Sequence, residues 1–209
     1  KTQHNEVAPA QHELAPIFAE CNVAVDHNQI IMETLKKVAG RHGLQCLLHE
    51  KPFAGVNGSG KHNNWSIITD TNVNLFSPGK NPIENLPFLA ALACTIKGVD
   101  EYADLLRLSI ASAANDHRLG GHEAPPAIIS MFLGERINEV ISSLIEGKEI
   151  GKTKKARFQT GVSVIPDFAK DNTDRNRTSP FALTGNKFEF RGVGSSQPIG
   201  FVNTVLNAI

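Results

Sequence analysis

Glu6, Glu13, His62 and Glu189 are the side chains of this sequence best suited to hold a divalent cation. Hard cations take oxygen ligands, carboxylates bring charge as well as coordination, and a neutral imidazole adds a nitrogen donor. Glu6 and Glu13 lie in two short extended pieces on either side of Pro9, so a turn there lets both point into one cavity. Two solvated glutamates are the plainer alternative. Glu189 alternates with Lys187 and Arg191 on one face of a strand whose opposite face is Phe188 and Phe190. The phenylalanines anchor that strand and leave its polar face for a cleft, although such a face also describes ordinary solvated surface.

The run Gly55-Val56-Asn57-Gly58-Ser59-Gly60-Lys61-His62 nearly spells the nucleotide signature G-x-x-x-x-G-K-[ST]. His62 replaces the hydroxyl residue that would hold Mg²⁺, and His62 to Ile68 is extended in pattern, whereas a phosphate loop must open a helix. The glycines permit positive φ and close approach of the backbone to a ligand. A β-turn carrying an exposed His62 accounts for the run equally well. Arg118, Glu123, Arg175 and Arg177 fall in polar loops, where arginine clamps carboxylates and phosphates through paired hydrogen bonds. Carboxylates and a histidine for metal, arginines for anions and a glycine loop together suit phosphoryl transfer, in which catalysis is mostly positioning and neutralisation of charge. No Ser–His–Asp or Cys–His spacing offers a covalent nucleophile.

The elements that must carry these residues mix without strict βα alternation, which predicts an α+β domain. A helix is predicted from Asp26, with Gln29 as its capping-box partner and His27, Ile31, Leu35 and Val38 recurring along one face, to a stop at Gly43. Leu44 to Lys51 reads as a strand, the glycine loop follows, and Trp65 to Thr69 is β-like. Leu86 to Ala114 reads as one long helix or two shorter ones interrupted at Gly98. Then come a polar loop over Asn115–Pro126, a strand over Ala127–Phe132 and a helix over Glu135–Glu146 with Ile137, Val140, Ile141 and Leu144 on one face. Lys148–Arg157 and Asp171–Pro180 read as solvated loops, Lys187–Val193 as a strand, and Pro198–Ile209 as the start of a helix.

The chain has 209 residues, enough for one domain with a real core, and its 21 Lys plus Arg balance 21 Asp plus Glu. That balance argues against a nucleic-acid or anionic-membrane partner, and no apolar run of about 18 residues predicts a membrane span. Cys21, Cys46 and Cys94 share no metal spacing and read as buried free thiols in a reducing, cytoplasmic setting. The N-terminus lacks Met and a signal pattern and runs straight into strand-like sequence, as expected of a chain cut inside a domain.

Three blocks of this sequence resemble glutamine synthetase, in its class III bacterial form: His4 to Glu13, Asn57 to Ser66, and Asn176 to Phe181 continuing through Gly185 to Arg191. They occur in the family's order and span nearly the whole chain. The resemblance implies an antiparallel sheet bent into a half-barrel funnel with helices packed outside, residues 1–209 forming part of the catalytic domain. It implies that Glu6 and Glu13 hold one Mg²⁺ or Mn²⁺ on the substrate side and that His62 and Glu189 hold another bridging the ATP phosphates. Asn57 and Gly58 would contact glutamate, Arg118 and Arg191 would bind its carboxylates, and Asn64, Ser66 and Lys187 would lie near ATP. Arg177 would neutralise the γ-phosphoryl group in flight, and Glu123 would be the flap glutamate that shields the intermediate and helps deprotonate ammonium.

Compared with the common bacterial class, the Glu6–Glu13 and Arg118–Glu123 spacings are each one residue shorter, and Asn64 stands where that class has a second His. Further carboxylates of the family's site are expected N-terminal to Lys1, so the metal shell of this chain by itself would be incomplete and the isolated chain inactive. The implied reaction is ATP-dependent ligation of ammonia to glutamate, in a homo-oligomeric ring. The same scaffold joining glutamate to another amine, and an inert scaffold protein, are the alternatives. The retained Glu123 and metal-ligand types argue against both.

Overall fold

The computed structural model describes residues 2–6, 8–121, 123–148, 157–158, 168–169 and 178–209, with the backbone alone at 2–5, 157–158 and 168–169. β1 (Thr2–Asn5) and β2 (His12–Ala15) form an antiparallel hairpin with His4 opposite Glu13. Its turn places Ala10 at φ 53°, and the Glu6 amide bonds to the Gln11 carbonyl at 3.1 Å.

α1 (Cys21–Arg41) starts before the predicted Asp26, with the Glu20 carbonyl accepting from the Ala24 amide at 2.8 Å. Nothing between Cys21 and Val25 breaks a helix, so the Asp26–Gln29 pair lies inside it instead of capping it. Its end matches expectation. Gly43 takes φ 69°, its amide bonds to Gly40 and the Leu44 amide reaches back to Ala39 at 2.9 Å, which satisfies the last carbonyls. No residue of α1 is buried.

The predicted strand over Leu44–Lys51 is absent. Its polar groups are taken up by the glycine loop instead: the Glu50 carbonyl accepts from the Ser59 amide at 2.8 Å, and the Lys51 ammonium binds the Val56 carbonyl. β3 (Gly60–Trp65) follows, so the segment after the loop is a strand, as predicted, and not the helix a phosphate loop requires. The β character predicted through Thr69 stops at Trp65, apart from an isolated bridge from Ile68 to Asn74.

α2 (Leu86–Glu101), α3 (Ala103–Ser109) and α4 (Ala113–Arg118) come next. The interruption is at Tyr102 (φ −118°, ψ 30°) and not at Gly98, which is buried in α2 where a Cβ would sit 3.1 Å from the carbonyl of Ile209. That glycine serves close packing. The stretch predicted as loop from Asn115 begins inside α4, because the Ser112 hydroxyl caps it by accepting from the Asn115 amide at 3.1 Å.

β4 is only Met131–Phe132, shorter than the predicted strand, and α5 (Glu135–Glu146) has the predicted bounds with Ile137 and Val140 buried. β5 (Arg157–Phe158) pairs antiparallel with β6 (Phe168–Ala169), within and beside the stretches read as loops. Most of Lys148–Arg157 and Asp171–Pro180, Arg175 and Arg177 included, lies outside the described residues. β7 (Phe181–Thr184), β8 (Lys187–Gly194) and α6 (Gly200–Ala208) complete the chain.

The central sheet has the order β3-β8-β7-β4, antiparallel except for the β4–β7 pair. One face carries Phe181, Phe188, Phe190 and Val193, packed with Phe76 and with Phe88, Leu92, Leu106, Val202 and Leu206 from the helices. Phe181 stacks on Phe188 at 4.7 Å and Phe76 meets Phe188 edge-on at 5.0 Å. The thiols are free, as predicted, but lie nearer the surface than expected: Cys21 and Cys46 are half-buried and Cys94 is exposed on α2. No helix among the described residues is long and apolar enough to cross a membrane.

Phe188 has no exposed surface and sits at the centre of this packing. Phe188→Ala should cost about 3–5 kcal/mol of unfolding free energy. Leu144→Ala, at a position on α5 left 51% exposed, should change it by less than about 0.5 kcal/mol. Chemical denaturation of both variants checks the assignment of inside and outside.

Candidate active site

Alternation along β3 and β8 sorts the predicted site residues onto one face. Asn64 is directly opposite Glu189, and His62, Lys187 and Arg191 lie two positions away on their strands. Between the Lys61–Val193 and Asn63–Phe190 pairs the register shifts, so Arg191 and Gly192 together oppose His62. This is a β-bulge, a device that re-aims side chains at sheet sites.

Glu189 is the hub. His62 Nδ1 lies 3.1 Å from Glu189 Oε1, and Arg191 Nε and Nη2 donate to Oε2 at 2.9 and 2.8 Å. The hydrogen bond from His62 outweighs burial and, with the charge of His62 and the bond and charge of Arg191, brings the carboxyl from 4.5 down to about 2. Lys187 donates to Thr184 Oγ1 at 2.9 Å; Asn64, opposite Glu189, and Ser66, just past the end of β3, are exposed.

The glycine loop is packed against this ribbon by Arg118, the last residue of α4 and only 6% exposed. Its Nε donates to Asn115 Oδ1 at 3.0 Å, and Nη2 reaches the Arg191 and Val193 carbonyls at 3.4 Å. A Cβ on Gly58 or Gly60 would collide with the Arg118 side chain. These two glycines therefore admit an arginine of their own chain, and positive φ within the loop is confined to Gly55. Lys61 turns away from any phosphate. Its ammonium binds the carbonyls of Gly194, Ser195 and Gln197, and burial draws it from 10.5 down to about 8 against the opposing pull of Glu50.

Glu123 comes to the same loop. Its Oε2 accepts from Asn57 Nδ2 at 2.9 Å across 66 residues of sequence, and it holds φ 61°, a region a non-glycine residue rarely adopts. The structure thus brings together Asn57, Gly58, His62, Arg118, Glu123, Glu189 and Arg191. Glu6 and Glu13 stay on the separate β1–β2 hairpin, both exposed. Among the described residues no three His, Cys, Asp or Glu side chains assemble as a metal cage. Arg177 lies outside the described residues.

A family model described as the catalytic domain of glutamine synthetase matches residues 1–129. The chain belongs to the glutamine synthetase family. It is 63% identical over 94% of its length to the glutamine synthetase of Butyrivibrio fibrisolvens, and 56% identical over its full length to the type-3 glutamine synthetase of Dictyostelium discoideum. A Bacteroides fragilis glutamine synthetase is 52% identical, again over the full length. The chain spans 28–29% of the length of these relatives.

Sequence reasoning gave no role to Glu50, Lys61 or Asn115, all held tightly at the site's rear. Asn115 is fully buried, bonding through Nδ2 to the Ile110 and Gly192 carbonyls at 2.7 and 2.8 Å while its Oδ1 orients Arg118. The one available signal was Lys61, whose place in a near-signature loop lacked the hydroxyl partner that would have sent it to a phosphate.

The depressed Glu189 carboxyl contributes stability that is complete above about pH 4.5 and is lost as pH falls toward about 2. Side-chain carboxyl NMR should find the Glu189 midpoint far below the ordinary glutamate range, and Arg191→Met should raise it. A midpoint at the ordinary value would refute the hub described here.

Proposed function

We propose that the protein containing this chain ligates ammonia to the γ-carboxylate of L-glutamate, driven by ATP and passing through γ-glutamyl phosphate, to give L-glutamine. The observation that carries this reading is the Asn57–Glu123 contact. It sets a carboxylate on a strained loop over the glycine loop, whose Arg118 packing ties it to the strand that carries the hub of Glu189, His62 and Arg191. Family membership supports it as well.

A carboxylate is a poor electrophile, and ATP and glutamate repel each other. Asn57 and Gly58 position the glutamate, while Arg118 and Arg191 place positive charge beside the loop for its carboxylates. Asn64, Ser66 and Lys187 line the nucleotide side of the ribbon. Arg177 meets the transferring phosphoryl group, whose charge must be offset in the transition state. Glu123 covers the acyl phosphate, excludes water and accepts a proton from ammonium as ammonia attacks.

The donor chemistry of His62 and Glu189, an imidazole against a carboxylate kept ionised, fits Mg²⁺ or Mn²⁺. With Glu6 and Glu13 these residues would hold two or more such ions, which when bound supply Lewis-acid neutralisation of phosphate charge. The half-barrel funnel, a homo-oligomeric ring, a cytoplasmic setting and inactivity of the isolated chain belong to the same proposal.

The test uses the full-length enzyme and measures phosphate release and glutamine formation with ATP, glutamate, ammonia and Mg²⁺. Glu189→Ala should lower turnover by about 100-fold or more. Glu123→Gln should lower the glutamine formed per phosphate released, as the exposed acyl phosphate is hydrolysed. Release that needs a different amine would reassign the acceptor, and no turnover from folded, metal-supplied enzyme would sink the ligase reading.

A further inference from the structure

Glu50 and Lys61 bracket the glycine loop, one before it and one after it, and both reach the same short turn between β8 and α6. Glu50 is fully buried; its Oε1 accepts from the Ser196 amide at 2.9 Å and the Ser196 hydroxyl at 2.6 Å, and its backbone carbonyl accepts from Ser59 within the loop. Lys61 donates to the carbonyls of Gly194 at 3.2 Å, Ser195 at 2.5 Å and Gln197 at 2.7 Å. One turn thus has its N–H side held by an anion and its carbonyl side held by a cation. Gln197 completes it by accepting from the Gly194 amide at 2.8 Å. The packing leaves no slack, since a Cβ on Gly194 would collide with the Glu50 carboxylate.

We propose that Glu50 and Lys61 are positioning residues that fasten both ends of the glycine loop to the end of β8 and so fix Asn57 and Gly58 relative to Glu189 and Arg191. The strand and the loop have no direct ladder over Asn57–Ser59, because β3 pairing begins only at Gly60. The register between the loop and the hub is therefore set through the turn together with Arg118, which packs on Gly58 and Gly60 and bonds to β8. Glu50 Oε2 is buried and makes no hydrogen bond, so without the Lys61 charge the carboxylate would depend chiefly on its two Ser196 bonds. The two residues should act as one unit and not additively.

This inference rests on the glutamine synthetase reading only for its kinetic arm. In the full-length enzyme, Lys61→Met and Glu50→Gln should each raise the KM for glutamate by about tenfold, leave the KM for ATP within about twofold, and combine with no further loss. Ser196→Ala, at an exposed position that removes one Glu50 bond, should give a smaller shift of the same kind and keeps the test informative if the buried variants fail to fold. Parallel changes in both KM values, or altered thermal stability with unchanged KM values, would overturn the positioning role.

A second readout needs no turnover. Backbone hydrogen exchange in the full-length protein should accelerate by about tenfold at the amides of residues 59 and 196 in Ser196→Ala, with the amides of α5 unaffected. Unchanged exchange at Ser59 refutes the latch whatever the enzyme does. Altered exchange in a parent that makes no glutamine keeps the latch and discards the ligase reading.

Discussion

The pairing of β3 with β8 is the constraint on which the rest of the site depends. The pleat gives each strand two faces, and Trp65, Phe188 and Phe190 commit one of them to an aromatic core in which both phenylalanines are fully buried. A one-residue slip would carry those rings into solvent and bring His62, Asn64 and Glu189 inside. Apolar burial therefore sets the site's register, and the polar residues inherit their positions from it. The helices serve the same end. α6 meets Asn63 through an Asn203 hydrogen bond of 2.8 Å, and α4 delivers Asn115 and Arg118 to the back of the ribbon.

Charge is then arranged within this frame so that few charged groups are left without compensation. Arg191, 4% exposed, is matched to Glu189, whose other oxygen is matched to His62. Arg118 is spread over a side-chain carbonyl and two backbone carbonyls. Buried ions contribute little net stability but are costly to unpair. Such a network favours one geometry over its neighbours more than it favours folding.

Features governed by local chemistry were legible in the sequence. α5 appeared with its predicted bounds because its apolar spacing and the Gly147 stop agree, and Lys187–Arg191 declared its two faces through strict alternation. Glu123 and Asn57 could be brought together only through the family resemblance, since 66 residues separate them. Other misreadings share a physical cause, namely dependence on distant partners. Gly98 looked like a break and proved to be a contact surface for the chain's last residue. Leu44–Lys51 had strand composition but no neighbouring strand among the described residues, and its polar groups went to the loop instead. Glu50 is invisible to any pattern, because an acid in an apolar-flanked stretch gains meaning only from a turn that lies 146 residues away.

The bulge opposite His62 has a consequence for how this strand can vary. In an unbroken strand, residues three apart lie on opposite faces, yet Phe190 and Val193 both join the apolar core. The strand therefore runs in two phases, one up to Arg191 and the opposite one beyond it, with Gly192 at the change. Deleting a single residue there would restore a regular ladder with Phe190 and Val193 still on one face, but would remove the extra residue that re-aims the side chains opposite His62. Deleting two would instead make Phe190 and Val193 adjacent and send one of them out of the core, so the strand between Glu189 and the turn that Lys61 grips can lose its bulge more readily than a residue pair.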